Sequence, residues 1–208
     1  MNSMSLTTYL SDLSELLTST LVTNRYGKSI SSDCGANNWV DMIVTVKNFN
    51  KKVIVIGNGG SEAIASHVHN DLCKAVGVRA MVFSDPSLMT ALSNDIGYEV
   101  IYKQPLEMWA EGGDMLIAVS SSGMSANILS AVETARQSGC KIVTLSGFDE
   151  DNELRKMGDL NFYVPSHSYG YVESAHAVLA HFVTDYAAAT QKKESEETVC
   201  FKLLKISA

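Results

Sequence analysis

The chain has 208 residues, of which 46% are hydrophobic and 19% charged, and its formal net charge is −7. This composition is typical of a globular protein and excludes the disordered, collagen-like and coiled-coil classes. The acidic balance argues against a nucleic-acid-binding protein, because affinity for the phosphate backbone depends on a basic surface. It does not exclude one small anion held by backbone N–H groups, which need no net positive charge.

Targeting signals and cysteines indicate the compartment. No apolar run approaches the roughly 18 residues that cross a membrane, and the first residues lack the basic start and apolar core of a secretory signal. The four cysteines are far apart and form no Cys-x-x-Cys pair: Cys34, Cys73, Cys140 and Cys200. We therefore expect a cytoplasmic protein with reduced thiols and no membrane partner.

The first fifty residues predict two helices. Leucines recur at three- and four-residue spacing from Leu6 to Leu21, which is typical of an amphipathic helix. The polar residues 27–37 predict a loop. Apolar residues from Trp39 to Phe49 then indicate a second helix. We expect residues 1–50 to belong to the same folded unit as the rest of the chain.

From Lys52 onward the pattern changes to short apolar runs typical of strands buried on both faces. These runs are Val53–Ile56, Ala80–Phe83, Met115–Val119, Ile142–Leu145 and Phe162–Val164. Helical patterns lie between them, and the last helix is predicted from Glu173 to about Thr190. This alternation predicts an α/β fold over residues 51–190, a three-layer αβα sandwich around a five-stranded parallel sheet. Residues 191–208 are predicted to be a tail, first charged and solvated, then apolar and able to dock on a neighbour.

The loop after the first of these strands carries a glycine-rich motif. Gly57-Asn58-Gly59-Gly60-Ser61 stands between a strand and a helix. Glycines allow the backbone to approach a ligand closely, Ser61 is expected to cap the helix, and a helix N-terminus attracts anions. The motif is neither a Walker loop nor a dinucleotide fingerprint. A tight turn without function is the alternative.

A second loop is rich in hydroxyl groups. Ser120-Ser121-Ser122-Gly123-Met124-Ser125 follows the strand that begins at Met115 and precedes a helix. Four hydroxyl groups at a strand-to-helix turn can surround a phosphate monoester with neutral donors. A solvated serine loop is the alternative. Two such loops in one parallel sheet favour a phosphate site, because ligands bind at the carboxyl ends of its strands.

Helical residues add candidate metal ligands. His67 and Asp71 are four residues apart and share one helix face, which is ordinary metal-ligand spacing and also ordinary surface-pair spacing. Glu173 and His181 are about 80° apart around the last helix and could line one side of a pocket. We expect His69 and His176 to be structural or exposed rather than part of the site.

The chain resembles the sugar isomerase (SIS) domain family, and specifically its phosphoheptose isomerase branch. The resemblance covers roughly residues 36–190 and depends on the GNGGS and SSSGMS loops and three further stretches: Ser61–Leu72, Leu92–Tyr98 and Ser122–Leu129. Members of this branch convert sedoheptulose 7-phosphate to glycero-manno-heptose 7-phosphate. The resemblance implies the SIS version of the flavodoxin-like fold and a homotetramer built through the N-terminal and last helices.

The resemblance also implies site residues. The substrate-binding set would be Asn58, Gly59, Gly60, Ser61, Asn94, Asp95, Ser120, Ser121, Ser122 and Ser125. One zinc ion would be held by His67, Asp71, Glu173 and His181, at a site that overlaps the catalytic one. His181 would act as the acid, and Asp71 or Glu173 as the base.

Four positions depart from the family pattern. The family has Glu where this chain has Asp71, Gln at Glu173, Asn at Met124, and an Asp near Gly170 and Tyr171. Because Asp71 is shorter and pairs with His67, it is the better metal ligand. We therefore expect Glu173, which is longer and stands near a helix start, to be the base.

The sequence thus predicts an aldose–ketose isomerase of a sugar phosphate, with sedoheptulose 7-phosphate as substrate and an enediol(ate) intermediate. The alternative is a non-catalytic phosphosugar-binding SIS module that acts as a sensor or a protein-binding scaffold. A third candidate is an isomerase of another phosphosugar. The presence of both histidines and both carboxylates in the metal set favours an enzyme.

Overall fold

The computed structural model describes the backbone of residues 5–206 and the side chains of residues 5–192. The strands are β1 (Leu21–Asn24), β2 (Ser29–Ile30), β3 (Lys52–Gly57), β4 (Arg79–Val82), β5 (Met115–Ser120), β6 (Lys141–Ser146) and β7 (Leu160–Tyr163). The α-helices are α1 (Leu6–Thr18), α2 (Ser32–Asn48), α3 (Gly60–Asp71), α4 (Pro86–Asp95), α5 (Lys103–Trp109), α6 (Ala126–Gln137) and α7 (Tyr169–Ile206).

The five predicted strands are confirmed as one parallel array, in the order β7-β6-β5-β3-β4. Both faces of the array are covered by helices. Along β3, Val53 and Val55 belong to a core formed with α2, α3 and α7, whereas Ile54 and Ile56 belong to a core formed with α4, α5 and α6. Alternate side chains of one strand thus enter different cores, which explains its continuous apolar sequence.

The N-terminal region differs from the prediction. α1 ends at Thr18, and the chain then forms a hairpin in which β1 pairs antiparallel with both β2 and β7. Residues 27–37 are therefore not simply a loop. The buried side chain of Val22 lies in register with Phe162 of β7, and this packing overrides the helical leucine spacing. Within residues 5–206 the sheet consequently has seven strands rather than five.

The last helix is longer than predicted at both ends. α7 begins at Tyr169, one turn before Glu173, and its backbone continues past Thr190 to Ile206. The predicted end of the helix at about Thr190 is therefore wrong for the backbone, whereas the division of residues 191–208 as a tail stays a prediction. The side chains expected to dock on a neighbour lie outside the described residues. Among the described residues, none of the helices is long and apolar enough to cross a membrane.

The order of the strands creates a crevice beside β3. From β3 the chain moves outward to β4, and it then returns to the other side of β3 to form β5. The connections that leave the carboxyl ends of β3 and β5 therefore run in opposite directions. In open parallel sheets, ligands bind at such a reversal point. The two motif-bearing loops lie next to each other here. We call Gly57–Ser61 the glycine loop and Ser120–Ser125 the serine loop.

Candidate active site

A pocket of about 260 Å³ opens at this crevice, and we call it the serine pocket. It is lined by Asn58, Gly59, Gly60, Ser61, Ser120, Ser121, Ser122, Ser125, Tyr169 and Glu173. The structure thus brings together eight of the ten residues predicted to bind substrate. It also adds Glu173, the predicted base, and Tyr169, which the sequence does not predict.

The glycine loop presents its backbone to the pocket. Gly59 has a φ of +56° and occupies the N-cap position of α3, a conformation that favours glycine. Ser61 lies one residue inside the helix and is buried, so the prediction that it caps α3 is wrong. A side chain at Gly60 would overlap the carboxylate of Glu173, which therefore lies directly over the start of α3.

Two hydroxyl groups of the serine loop lie close together beside the pocket. The N–H of Gly123 donates to Ser120 Oγ at 3.2 Å, and Ser120 Oγ lies 3.4 Å from Ser125 Oγ. Ser125 is the N-cap residue of α6 but makes no side-chain capping bond. Ser121 Oγ is buried and has no hydrogen-bond partner within the described part of the chain. A buried hydroxyl without a partner is costly, so Ser121 has unused hydrogen-bonding capacity beside this pocket.

The electrostatics of the serine pocket come from helix ends. α3, α6 and α7 all begin at the pocket, through Gly60, Ser125 and Tyr169. Each N-terminus carries partial positive charge, which favours an anion. Of the residues with described side chains, Glu173 is the only charged one that lines the pocket. An anion there would be held by N–H and O–H donors rather than by a basic side chain.

Asn94 and Asp95 do not reach the serine pocket. They lie exposed at the end of α4, where Asn94 Nδ2 donates to Asp95 Oδ1 at 2.8 Å. From the same stretch it is Tyr98 that approaches, and its hydroxyl donates to Asn58 Oδ1 at 3.2 Å. Tyr98 belongs to the LSNDIGY motif, but nothing in the motif indicates which member contacts a residue of the pocket.

A second group of predicted residues meets between α3 and α7. Asp71 Oδ2 lies 3.3 Å from His67 Nε2 and 3.4 Å from His181 Nδ1. One ligand atom from each of these three residues lies within 4.8 Å of the others. We call this group the histidine cluster. It lines a cavity of about 240 Å³ whose remaining walls are largely apolar.

Glu173 is not part of the histidine cluster. The resemblance predicts it as a fourth metal ligand, but it lines the serine pocket instead. The two carboxylates named as alternative bases therefore lie in different surroundings. Asp71 contacts two histidines, whereas Glu173 lies over the start of α3 among the residues of the serine pocket.

Of two other titratable groups near the site, one is fully buried and the other half-buried. His176 is fully buried on α7, and its ring N–H donates to the carbonyl oxygen of Ser146 at 3.1 Å. Burial lowers the pKa of His176 to about 4, so the ring is neutral near pH 7. Burial also raises the pKa of Glu62, whose carboxylate accepts a hydrogen bond from Ser66 at 3.1 Å.

Comparison with known proteins places the chain in a family. The sequence model of the SIS domain matches residues 34–147. The phosphoheptose isomerase of Syntrophotalea carbinolica is 37% identical over 141 residues, which span 64% of this chain and 71% of the relative. That of Sulfurimonas denitrificans is 34% identical over 150 residues, spanning 69% of this chain and 76% of the relative.

Solved structures show the same fold. The phosphoheptose isomerase of Neisseria gonorrhoeae superimposes with a TM-score of 0.76 at 22% identity, covering 88% of this chain and 97% of that chain. The phosphoheptose isomerase of Francisella tularensis gives 0.76 at 23% identity, covering 88% and 96%. The chain therefore belongs to the SIS domain family and, within it, to the phosphoheptose isomerases.

Proposed function

We propose that this protein is an aldose–ketose isomerase that converts sedoheptulose 7-phosphate to glycero-manno-heptose 7-phosphate. The observation that carries the proposal is the serine pocket, in which three helix N-termini and an unpartnered buried hydroxyl meet beside a carboxylate. Family membership supports the same reaction, because the relatives named above are phosphoheptose isomerases.

The phosphate group binds in the serine pocket. Ser61, Ser120, Ser122 and Ser125 line it and offer hydroxyl donors, and Ser121 adds the unpartnered one. Positive helix ends supply the charge complementarity that basic side chains would otherwise supply. The rest of the sugar then extends from this phosphate toward the catalytic groups.

The chemistry requires a base and an acid. A carboxylate takes a proton from C1 of the ketose, the electron pair forms the C1–C2 double bond, and the C2 oxygen gains a proton. The enediol then loses the proton on the C1 oxygen while C2 accepts a proton, which gives the aldose. We assign the base to Glu173, since Asp71 is bridged to two histidines, and the acid to His181.

The histidine cluster suits a zinc ion. Two imidazole nitrogens and one carboxylate oxygen, all within 4.8 Å, form an ordinary three-residue zinc ligand set. His67, Asp71 and His181 would hold the ion, and Glu173 could complete the set only by leaving its place over Gly60. When bound, zinc would polarise the oxygens of the sugar. His67 and His181 need to be neutral to act as ligands.

Turnover of a panel of phosphosugars with five, six and seven carbons tests the proposal. We expect the seven-carbon ketose phosphate to be isomerised with the highest kcat/KM. Preference for a shorter sugar would contradict the assignment of sedoheptulose 7-phosphate as the substrate. Binding of these sugars without turnover would overturn the reaction and favour a sensor.

Assembly and compartment belong to the same proposal. We infer a homotetramer in the cytoplasm. Large apolar side chains are exposed on α1 and α7, where subunits would pack: Leu6, Leu10, Val178, Phe182 and Tyr186. Cys34, Cys73 and Cys140 are free thiols, as a reducing compartment allows. Sedimentation equilibrium measures the mass, and a monomer would contradict the assembly.

A further inference from the structure

A pair of asparagine side chains joins the two loops of the serine pocket. Asn58 Nδ2 donates to Asn127 Oδ1 at 3.0 Å, and Asn127 Nδ2 donates back to Asn58 Oδ1 at 2.8 Å. Asn58 follows β3 and lines the pocket. Asn127 is in the first turn of α6, is 2% exposed and is not among the lining residues. The buried residue therefore meets a ligand only through Asn58.

Tyr98 completes the surroundings of Asn58. Its hydroxyl donates to Asn58 Oδ1 at 3.2 Å, so this oxygen accepts from both Tyr98 and Asn127. An amide oxygen has two lone pairs, and both are now used. One N–H of Asn58 is used as well, by Asn127. What Asn58 has left for a ligand is a single N–H donor, which suits a phosphate oxygen.

We propose that Asn127 is a positioning residue for substrate binding: it fixes the orientation of the Asn58 amide so that its remaining N–H faces the phosphosugar. This inference rests on the proposed function. Rotation of Asn58 alone would bring like groups together at Asn127, NH₂ against NH₂ and oxygen against oxygen. The buried amide thus holds a pocket side chain in one of its two orientations before substrate arrives, which lowers the entropy lost on binding.

The test measures binding and turnover together. Isothermal titration with inorganic phosphate gives the Kd, and steady-state kinetics give KM and kcat, for the wild type and for Asn127→Leu, Asn58→Ala and the double variant. We expect each single variant to raise both Kd and KM roughly tenfold, as for one lost hydrogen bond, with kcat within about threefold. The double variant should be no weaker than either single one, because both remove the same contact.

A matched control separates positioning from stability. Thr134 lies farther along α6, is buried, and donates to the Ser130 carbonyl, so Thr134→Val removes a buried polar group that does not line the pocket. It should leave Kd and KM at wild-type values. Tyr98→Phe removes the hydrogen bond from the Tyr98 hydroxyl to Asn58 Oδ1. Because Tyr98 is exposed, the substitution does not disturb the core. It should raise the Kd for phosphate about two- to threefold.

The results that overturn the inference are distinct. A Kd within twofold of wild type for Asn127→Leu, or additive losses in the double variant, would do so. If Asn127→Leu does not fold, Tyr98→Phe decides, and an unchanged Kd there counts against the inference. Wild-type protein that binds phosphate without isomerising any sugar overturns the proposed reaction alone, whereas protein that binds no phosphate overturns both.

Discussion

The serine pocket and the histidine cluster are built by different means. The pocket is formed by backbone and short hydroxyl side chains in two strand-to-helix turns, so its residues are close together in sequence within each loop. The cluster is formed by side chains projecting from two packed helices, α3 and α7, and its members His67 and His181 are far apart in the chain. A local motif can encode the first kind of site, but the second depends on helix packing. α3 and α7 contribute to both sites, and α7 carries both Glu173 and His181.

Substitution of the base gives the largest expected effect and tests whether the two sites do different work. Glu173→Gln removes the proton acceptor but keeps the side-chain volume. We expect kcat to fall by roughly a thousandfold, while the Kd for inorganic phosphate does not increase, because the substitution removes a negative charge from the pocket. Steady-state kinetics and calorimetry measure both. Near-normal activity of Glu173→Gln together with an inactive Asp71→Asn would reverse the assignment and make the cluster carboxylate the base.

Loss of the metal is the next largest effect and is specific to the histidine cluster. We expect about one zinc per chain in protein purified without chelator, and almost none in His67→Ala. Elemental analysis gives the stoichiometry. His69→Ala, on the same helix but outside the cluster, is the matched control and should retain the metal. Wild-type protein without stoichiometric metal would contradict the proposed zinc site.

Single hydroxyl groups of the serine pocket should have smaller effects. Ser121→Ala, Ser122→Ala and Ser125→Ala should each weaken phosphate binding by roughly 1–3 kcal/mol, as for one lost buried donor. Zinc content should not change, which would show that the two sites are separable. Titration with phosphate measures the loss, and Ser130→Ala on α6 is the control. Unchanged phosphate affinity in all three variants would contradict the proposal that this loop binds the phosphate.

The smallest effect concerns α7, the helix that carries residues of both sites. The pKa of His176 is about 4 in the folded chain, below its ordinary value of 6.5, because the ring is buried. Since the unfolded state binds the proton more readily, stability falls as pH decreases from about 6.5 toward 4. The expected loss is about 1 kcal/mol between roughly pH 6.5 and 5.5.

Urea unfolding of the wild type and His176→Gln at several pH values measures this loss. The variant should lack this part of the pH dependence, and above about pH 7.5 the two stability curves should run parallel. Identical pH dependence throughout would mean that folding does not lower the pKa of His176.

Much of the fold could be predicted because it follows from local patterns. The five apolar runs predicted the parallel strands, since strands buried on both faces need continuous apolar sequence. The β1–β2 hairpin could not be predicted in the same way. Leu21 continues the leucine spacing of α1, and only pairing with β7 turns it into a strand.

The site shows the same division. Gly57–Ser61 and Ser120–Ser125 could be placed together because both follow strands of one sheet. The separation of Glu173 from the histidine cluster could not be predicted, because it depends on how α7 lies across α3. The contact between Asn58 and Asn127 was missed for a related reason. It joins residues 69 positions apart, and neither local motif contains it.

The N-terminal hairpin also determines which backbone groups of the sheet remain open to other chains. β7 would otherwise end the sheet with a row of unpaired N–H and C=O groups, a template on which a strand from another molecule can add. β1 covers that row, and the outermost strand becomes β2, which has only two residues. An edge strand this short offers an incoming strand few backbone hydrogen bonds. The hairpin thus protects this edge of the sheet against edge-to-edge aggregation, independently of any part it has in catalysis.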